Sequence, residues 1–440
     1  MKHSGIEWIG EIPKEWNTCR LKDVGTLYGG LTGKAGDDFN VEEDDLSYML
    51  YIPFTNIFNN DSINPDQLFK VKIGQGEKQN LVQKGDLLFL MSSEDYDGVG
   101  KPAIMEEQVD NLGLNSFCKG LRIYNNNTNS KFLFYLLSSH LHRELVRQEA
   151  KGFIRINLRQ DRLSCCPIFL PPFSEQQKIA NYLDKVCGEV DEMIALQEQM
   201  IEELKAYKQS VITEAVTKGL NPDVPMKDSG IDWIGEVPEG WKVTVLRRFA
   251  TIILGKMLQP NAKSDDDSLE QYICAKDVHF EGIDFSDLKK MYFDKNEKDT
   301  YQVLKGDMLV VEGGAGAAGS CVLKTDLPDT YIQNSIMIVR PKQGIDIRYI
   351  QYFEFSLVKK GYVDFVCNKA TIPHFTKDKL SSMPIPLPPL SEQQTIASYL
   401  ETKCAEIDAL IAIKQAKKDS LMDYKKSVIY EYVTGKKEVV

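Results

Sequence analysis

The sequence predicts an α+β protein with two mixed α/β domains, each followed by a long α-helix. Three observations support this prediction. Two blocks of sequence recur in the same order, a proline pair precedes each of two long segments without proline, and both segments carry apolar residues at heptad spacing. We place the domains at residues 1–171 and 220–388, and the helices at residues 172–219 and 389–440.

The repeated blocks open and close each half of the chain. Residues 4–13 (SGIEWIGEIP) return as residues 229–238 (SGIDWIGEVP), and Trp16 matches Trp241 at the same offset of 225. Residues 170–183 are identical to residues 387–400 at 11 of 14 positions. Because both blocks keep their order, the sequence indicates an internal duplication of one globular part followed by one helix.

Within each globular part, short apolar runs and turn residues predict mixed structure. Residues 86–90 and 307–311 are typical of buried strands, and residues 132–147 and 348–359 have helical spacing. Residues 219–227, which contain Pro222 and Pro225, read as a linker into the second half.

The long segments predict helices that begin just after a proline pair. Ser174 is a suitable N-cap with Gln177 three residues later, and Ser391 and Gln394 repeat this capping box. A seam that repeats every 3.5 residues favours a coiled coil over a helix packed only on its own domain. Polar interruptions suggest that part of the seam faces a helix of a partner protein. The apolar seam positions are Ile179, Leu183, Val186, Val190, Met193, Met200, Leu204, Tyr207 and Val211, then Ile396, Leu400, Ile407, Leu410, Leu421, Tyr424 and Val428.

Composition limits the classes of protein that fit. The net charge is −11, from 53 basic and 64 acidic residues, which argues against nucleic-acid binding over the whole surface but not at a local one. No apolar run approaches the length of a membrane span, and the first residues lack the apolar core of a signal peptide. Nine scattered cysteines without a CxxC pair predict a reduced, cytoplasmic protein.

The sequence contains no recognisable catalytic motif and therefore predicts a chain without catalytic, cofactor-binding or metal-binding residues. The five histidines form no metal or triad motif. Residues 314–319 match G-x-G-x-x-G, but the dinucleotide fingerprint needs a helix immediately afterwards, and residues 320–323 read as a strand. We therefore interpret this segment as a loop between strands.

Basic residues cluster just before each closing block. Residues 143–162 carry six basic and three acidic side chains, and residues 359–380 carry five and two, so each stretch has a local charge of +3. A solvated face is the alternative, but equivalent positions in both halves favour DNA contact. Loops 92–101 and 312–320 are second choices. The candidate DNA-binding residues are Arg143, Arg147, Lys151, Arg155, Asn157, Arg159, Arg162, Lys359, Lys360, Lys369, Thr371, His374, Lys377 and Lys379.

The doubled opening block and the doubled Leu-Pro-Pro-x-Ser-Glu-Gln-Gln block resemble the specificity subunit of a Type I restriction-modification system, over the whole chain. The resemblance implies two target-recognition domains that each read one half of a bipartite, asymmetric site in double-stranded DNA. It implies that the helices pair antiparallel and hold the domains apart, which gives a pseudo-two-fold. We hypothesise that the length of the helices sets the spacer between the half-sites.

The resemblance also implies partner proteins. Two methyltransferase subunits would dock on the helices and bring S-adenosylmethionine, and restriction subunits would bring ATP and Mg²⁺ chemistry, so this chain itself would hold no cofactor and act at no membrane. The alternative is a coiled-coil scaffold with two protein-binding domains and no affinity for DNA.

Overall fold

Two long helices dominate the computed structural model, which describes residues 1–4, 10–41, 47–314, 316–367 and 374–439. The chain divides into two compact units. The first unit comprises Met1–Glu198 and Ala416–Val440, and the second comprises Gln199–Gln415. Each unit thus contains one globular part, one portion of the first long helix and one portion of the second.

The first unit holds thirteen short strands among its described residues, and four short helices precede the long one. The strands are β1 (Lys2–His3), β2 (Glu11–Ile12), β3 (Asn17–Arg20), β4 (Gly25–Gly29), β5 (Tyr48–Ile52), β6 (Phe69–Lys72), β7 (Leu87–Leu90), β8 (Ser92–Ser93), β9 (Pro102–Ile104), β10 (Leu112–Leu114), β11 (Cys118–Ile123), β12 (Ile156–Asn157) and β13 (Pro167–Leu170). The helices are α1 (Phe54–Asn59), α2 (Ser130–Ser138), α3 (His140–Glu149), α4 (Gln160–Ser164) and the long α5 (Phe173–Lys218).

The described residues of the second unit contain the same numbers of strands and helices. Its strands are β14 (Met226–Asp228), β15 (Glu236–Pro238), β16 (Lys242–Val245), β17 (Ala250–Leu254), β18 (Ser268–Ile273), β19 (Val278–His279), β20 (Gly282–Ile283), β21 (Lys289–Phe293), β22 (Met308–Val311), β23 (Ser320–Val322), β24 (Thr330–Ile332), β25 (Ile336–Pro341) and β26 (Pro384–Leu387). Its helices are α6 (Lys295–Tyr301), α7 (Ile347–Lys359), α8 (Tyr362–Val366), α9 (Lys377–Ser381) and the long α10 (Leu390–Val433).

The sheets show that the duplication extends to strand order. The first unit has a four-stranded antiparallel sheet in the order β4-β11-β7-β9, and the second has β17-β25-β22-β23. A three-stranded sheet follows the same rule, with β10-β5-β6 in one unit and β24-β18-β21 in the other. In both three-stranded sheets, the first two strands of the order given are parallel, and the last two are antiparallel. The mixed α/β fold is therefore confirmed in both halves.

Two strand predictions are confirmed and one helix prediction is wrong. Every residue of β7 and β22 is buried, as the apolar runs predicted. Helix α7 covers residues 348–359 as expected, but residues 132–147 do not form one helix. The chain breaks at Ser139, whose ψ of 146° is extended and whose hydroxyl donates a 2.6 Å hydrogen bond to the Leu136 carbonyl oxygen. That bond caps α2, and α3 then starts in a new direction.

The long helices begin two residues earlier than the capping box predicted. Helix α5 starts at Phe173 and α10 at Leu390, because the carbonyl oxygens of Pro172 and Pro389 accept the first helical hydrogen bonds, from Gln176 N and Gln393 N at 3.0 Å each. Ser174 and Ser391 are consequently inside the first turn, and their assignment as N-caps is wrong.

A buried glutamine in each closing block ties the long helix to its domain. Gln176 accepts a hydrogen bond from Asn129 N at 2.8 Å, and Gln393 accepts one from Asp346 N at 3.0 Å. Each amide group also donates to the carbonyl oxygen of the first proline of its own block, at 2.8 Å for Pro171 and 2.9 Å for Pro388. Because these side chains are about 1% exposed, the bonds are shielded from water and fix the helix on the domain.

The helices pair antiparallel within each unit. In the first unit Tyr182 packs on Tyr432 with ring centroids 4.5 Å apart, Asp191 binds Lys425 at 2.8 Å and Glu198 binds Lys418 at 2.7 Å. In these successive contacts the residue number on α5 increases while the residue number of its partner on α10 decreases, so the two helices run in opposite directions. In the second unit Lys208 of α5 binds Asp408 of α10 at 2.7 Å.

The core of each unit includes both helices. In the first unit Trp16 packs with Phe132 and Phe169 at centroid distances of 6.2 and 6.1 Å, in one cluster with Leu183 of α5 and Val428 of α10. In the second unit Trp241 packs with Tyr349 at 6.3 Å, in one cluster with Val216 of α5 and Leu400 of α10. The end of one helix and the start of the other therefore complete each hydrophobic core.

Part of the predicted seam faces solvent. Met193 and Tyr424 of the first unit, and Tyr207 and Leu410 of the second, are each between 45 and 51% exposed. Ile413 of the second unit, which is not one of the predicted seam positions, is 62% exposed. Antiparallel pairing of two helices thus covers only part of the apolar surface that the heptad pattern supplies.

Candidate nucleic-acid interface

In each unit the loop after a central buried strand meets the stretch that carries the predicted basic residues. In the first unit β8 pairs with β12, so that Ser92 lies opposite Asn157. In the second unit a single bridge joins Gly313 to His374, and these residues are equivalent in the duplication to Ser92 and Asn157. One candidate of each basic stretch, Asn157 or His374, therefore lies directly beside a candidate loop.

Helix α3 anchors the loop of the first unit. Arg143 donates a hydrogen bond to the carbonyl oxygen of Asp97 at 2.5 Å, and Arg147 forms ion pairs with Asp97 and Glu144. Burial and the adjacent Arg147 lower the pKa of Arg143 to about 10. Arg143 Nη1 and Arg147 Nε are buried without a hydrogen-bond partner among the described residues, so these two arginines retain unused donors beside the loop.

Two more arginines of the first unit are paired with carboxylates on the surface. Arg159 donates two hydrogen bonds to Asp161, both at 3.0 Å, and Arg162 lies 3.2 Å from Glu149. Both arginine side chains are more than half exposed, so the ion pairs contribute little to stability and can exchange for phosphate oxygens.

The remaining candidates of the first unit form the tip of a short hairpin. Lys151 and Asn157 exchange backbone hydrogen bonds at 3.0 and 2.9 Å, and the Asn157 amide donates to the carbonyl oxygen of Arg155 at 3.0 Å. The Arg155 guanidinium lies over the Phe117 ring, 5.6 Å from its centroid. Both basic side chains are exposed, and neither forms an ion pair with any described residue.

A cleft of about 530 Å³ lies beside this tip. Its walls include Arg155, Phe117 and the stacked pair Phe54 and Phe58, whose ring centroids are 5.9 Å apart. Residues 92–95 of the loop, which include the carboxylates of Glu94 and Asp95, also line it. The aromatic faces suit stacking on planar groups such as nucleobases, and the carboxylates can accept hydrogen bonds from base amino groups.

In the second unit the candidates are held differently. Lys359 lies over the Phe355 ring at 5.6 Å, and Lys360 donates to the carbonyl oxygen of Trp233 at 3.0 Å, with its pKa lowered mainly by burial. Lys379 donates to the His374 carbonyl oxygen at 2.7 Å, which places it beside the candidate loop, and Lys377 is exposed on α9. Lys369 and Thr371 lie outside the described residues.

The sequence reasoning missed the aromatic and apolar members of this edge. Phe117 is 56% exposed, and Phe153 and Ile154 at the hairpin tip are almost completely exposed. The available signal was a Gly-Phe-Ile run inside residues 150–160, a stretch that contains no acidic residue. The anchoring role of Asp97 had no comparable signal, because loop 92–101 is remote in sequence from α3.

Other kinds of site receive no support from the described part of the chain. The G-x-G-x-x-G loop is followed by β23, as expected for a loop between strands. Within the described ranges, no three His, Cys, Asp or Glu residues are close enough to hold a metal ion. None of the helices described is long and apolar enough to cross a membrane.

Comparison with protein families identifies the class of this duplicated protein. The model of the Type I restriction modification DNA specificity domain matches residues 13–206 and matches again at residues 238–422. The chain therefore belongs to the family of Type I restriction-modification specificity subunits, which are non-catalytic and supply DNA sequence recognition.

Individual relatives span nearly the whole chain. The putative MjaX specificity subunit of Methanocaldococcus jannaschii is 28% identical, over 97% of this chain and 95% of its own length. The EcoKI specificity subunit of Escherichia coli is 24% identical, over 91% and 84%.

Two solved structures share the fold. The HsdS subunit from Thermoanaerobacter tengcongensis aligns with a TM-score of 0.52 at 17% identity, over 97% of this chain and 98% of its own. A chain from a structure concerning complex assembly and conformational transition of the type I R-M system aligns with a TM-score of 0.72 at 17% identity, over 97% and 99%.

Proposed function

We propose that this specificity subunit reads a bipartite, asymmetric DNA site, with one half read by each target-recognition domain. The domains are residues 1–171 and 220–388, and the helices at 172–219 and 389–440 space them. One observation carries the proposal: the same loop edge occurs in both units with different side chains, Ser92 and Asn157 in one, Gly313 and His374 in the other. A common scaffold with different tips suits two different short sequences.

The charge distribution supports DNA as the ligand. Each basic stretch carries +3 in a chain of −11, so positive potential is concentrated where the loops meet. Exposed cations such as Lys151, Arg155 and Lys377 suit phosphate or base contact, whereas the acidic remainder weakens non-specific binding. Full affinity would then need the assembled complex, because partner subunits add phosphate contacts.

The helices suit docking of methyltransferase subunits. Each unit presents exposed apolar side chains on its helical portions, including Met193 in the first and Ile413 in the second. One methyltransferase subunit on each unit gives two per chain, and restriction subunits join the same complex. S-adenosylmethionine, ATP and Mg²⁺ would be bound by those partners, and the complex would act in the cytoplasm on cellular DNA.

Mapping of methylated adenines tests the proposal. The chain is co-expressed with the methyltransferase encoded beside it, and the methylated sites are determined by single-molecule sequencing. We expect a two-part motif that disappears when this chain is omitted and returns when it is restored. A competent methyltransferase that yields no two-part motif with this chain would favour a protein-binding scaffold.

Substitution of Arg155 by alanine is expected to relax or weaken recognition of one half-site only. Arg155 is exposed at the tip of the first unit, and loss of one base contact costs about 1–3 kcal/mol. The methylated motif of the assembled R155A complex should therefore lose bases from one half. Lys377→Ala is the matched variant in the second unit and should affect the other half. Equal loss in both halves, or an unchanged motif, would remove Arg155 from the residues that read DNA.

A further inference from the structure

We propose that the hairpin tip formed by Phe153 and Ile154 is a wedge that inserts between neighbouring base pairs of the half-site bound by the first unit. This inference rests on the proposed function and adds a role that basic residues cannot fill. It concerns the shape of the bound DNA, because an inserted side chain unstacks one base step and bends the duplex.

The tip is a fixed structure. Two backbone hydrogen bonds between Lys151 and Asn157 close the hairpin, and the Asn157 side chain binds the Arg155 carbonyl oxygen within it. Gly152 is needed at the turn, because a Cβ there would lie 1.9 Å from the Arg155 carbonyl oxygen. The hairpin is also joined to β8, so its base is part of the domain. A wedge must be held in this way, since a loose loop would lose entropy on insertion.

No residue of the described part of their own unit covers the two apolar side chains at the tip. The relative exposure is 107% for Phe153 and 90% for Ile154, as high as in an extended chain. The neighbouring aromatic surface of Phe117 is occupied by Arg155. Single exposed apolar residues are common, but two adjacent ones at the end of a closed hairpin mark a contact surface.

The charges around the tip select the occupant. Lys151 and Arg155 flank Phe153 and Ile154 on both sides, and residues 150–160 contain no acidic side chain. Apolar side chains flanked by two cations are complementary to a base step, because the bases of the step are flanked by the two phosphate backbones. Phenylalanine and isoleucine are among the side chains that wedge between bases, and nearby cations compensate the phosphates that approach each other when the duplex bends.

The test uses the complex assembled with its methyltransferase subunits and a duplex that carries the mapped site. 2-Aminopurine replaces single bases of each half-site in turn, outside the methylated adenines, and donor and acceptor dyes at the duplex ends report bending. We expect the wild-type complex to raise 2-aminopurine fluorescence at one step in a single half-site. Phe153→Ala should abolish that rise, reduce bending and weaken specific binding by about 10-fold or more. Phe153→Leu should retain most of each signal.

Phe285→Ala is the matched control, because Phe285 is a loop phenylalanine of the second unit that is 53% exposed. It should leave the signals unchanged. If the wild-type complex binds its site specifically but unstacks no step, or if F153A weakens only assembly with the methyltransferase, the wedge is wrong and the proposed function stands. If the wild-type complex does not distinguish its site from other DNA, both are wrong.

Discussion

Deleting residues 192–198 and 418–424 together is expected to abolish methylation at the original sites and to create sites with a shorter spacer. Each deletion removes one heptad, which is about 10 Å of helix, or about three base pairs of DNA. The proposal that helix length spaces the half-sites requires this change. The methylome of cells that express the double deletion measures it directly, and an unchanged spacer would contradict the proposal.

The two deletions are chosen so that the helices keep their register. Asp191 and Lys425 form an ion pair at 2.8 Å, and Glu198 and Lys418 form the next one along the pair. Removing both segments, which include Glu198 and Lys418, leaves Asp191 opposite Lys425 and keeps the later residues of α5 opposite the same residues of α10. Deletion of residues 192–198 alone is the control. It displaces every later contact of α5 by two turns, and we expect a chain that assembles poorly with the methyltransferase.

Glu354→Gln is expected to stabilise the second unit increasingly as the pH rises from about 5 to 8. Glu354 is completely buried on α7, and its only described hydrogen bond is the one accepted from Ser320 at 2.6 Å. Burial raises the pKa of this carboxyl group from 4.5 to about 8. The folded unit therefore keeps Glu354 neutral up to that pH, while the unfolded chain already ionises it.

The difference between the pKa of Glu354 in the folded unit and in the unfolded chain determines how stability depends on pH. Below the pKa that Glu354 has in the unfolded chain, the carboxyl group is neutral in both states and has no effect on stability. Between that pH and the pKa in the folded unit, the free energy of unfolding of the wild-type unit falls by about 1.4 kcal/mol per pH unit. The glutamine side chain of the variant does not titrate, so the gap in stability between variant and wild type should widen up to pH 8 and then stay constant.

Urea unfolding of the full chain, with hydrogen exchange of β22 and β25 peptides as the readout, measures the gap. Peptides of β7 and β11 in the first unit serve as an internal reference, because the equivalent residue there is Leu137. Glu354→Leu copies that residue and should show the same pH dependence as the glutamine variant. A gap that does not change between pH 5 and 8 would mean that the carboxyl group is ionised in the folded unit.

The regular parts of the fold were predictable because they repeat. Heptad spacing and the proline pairs indicated α5 and α10, and apolar runs indicated β7 and β22. The first helical residue was not predictable, because it depends on the Pro172 and Pro389 carbonyl oxygens and on a buried glutamine that binds residues 47 positions away. Such contacts follow from tertiary packing and leave no local signal.

The candidate site was predictable in location but not in arrangement. The basic stretches and the loops were identified separately, and only strand pairing joins Ser92 to Asn157 and Gly313 to His374. The sequence also offered no way to distinguish basic residues that support a loop from basic residues that face a ligand. In the structure Arg143 and Arg147 hold Asp97, whereas Arg155 is available at the tip. Whether a cation supports a loop or meets a ligand depends on which carboxylate the fold places beside it.

The way the units divide the chain has a consequence for synthesis on the ribosome. The second unit is one continuous segment, Gln199–Gln415, and can close its core once that segment has emerged. The first unit is made earlier but is completed later, because its core includes Val428, Ile429 and Val433, which follow the whole second unit in the chain. The N-terminal domain therefore keeps an open apolar surface until these residues have emerged, which makes it the part most exposed to chaperones and proteases during synthesis.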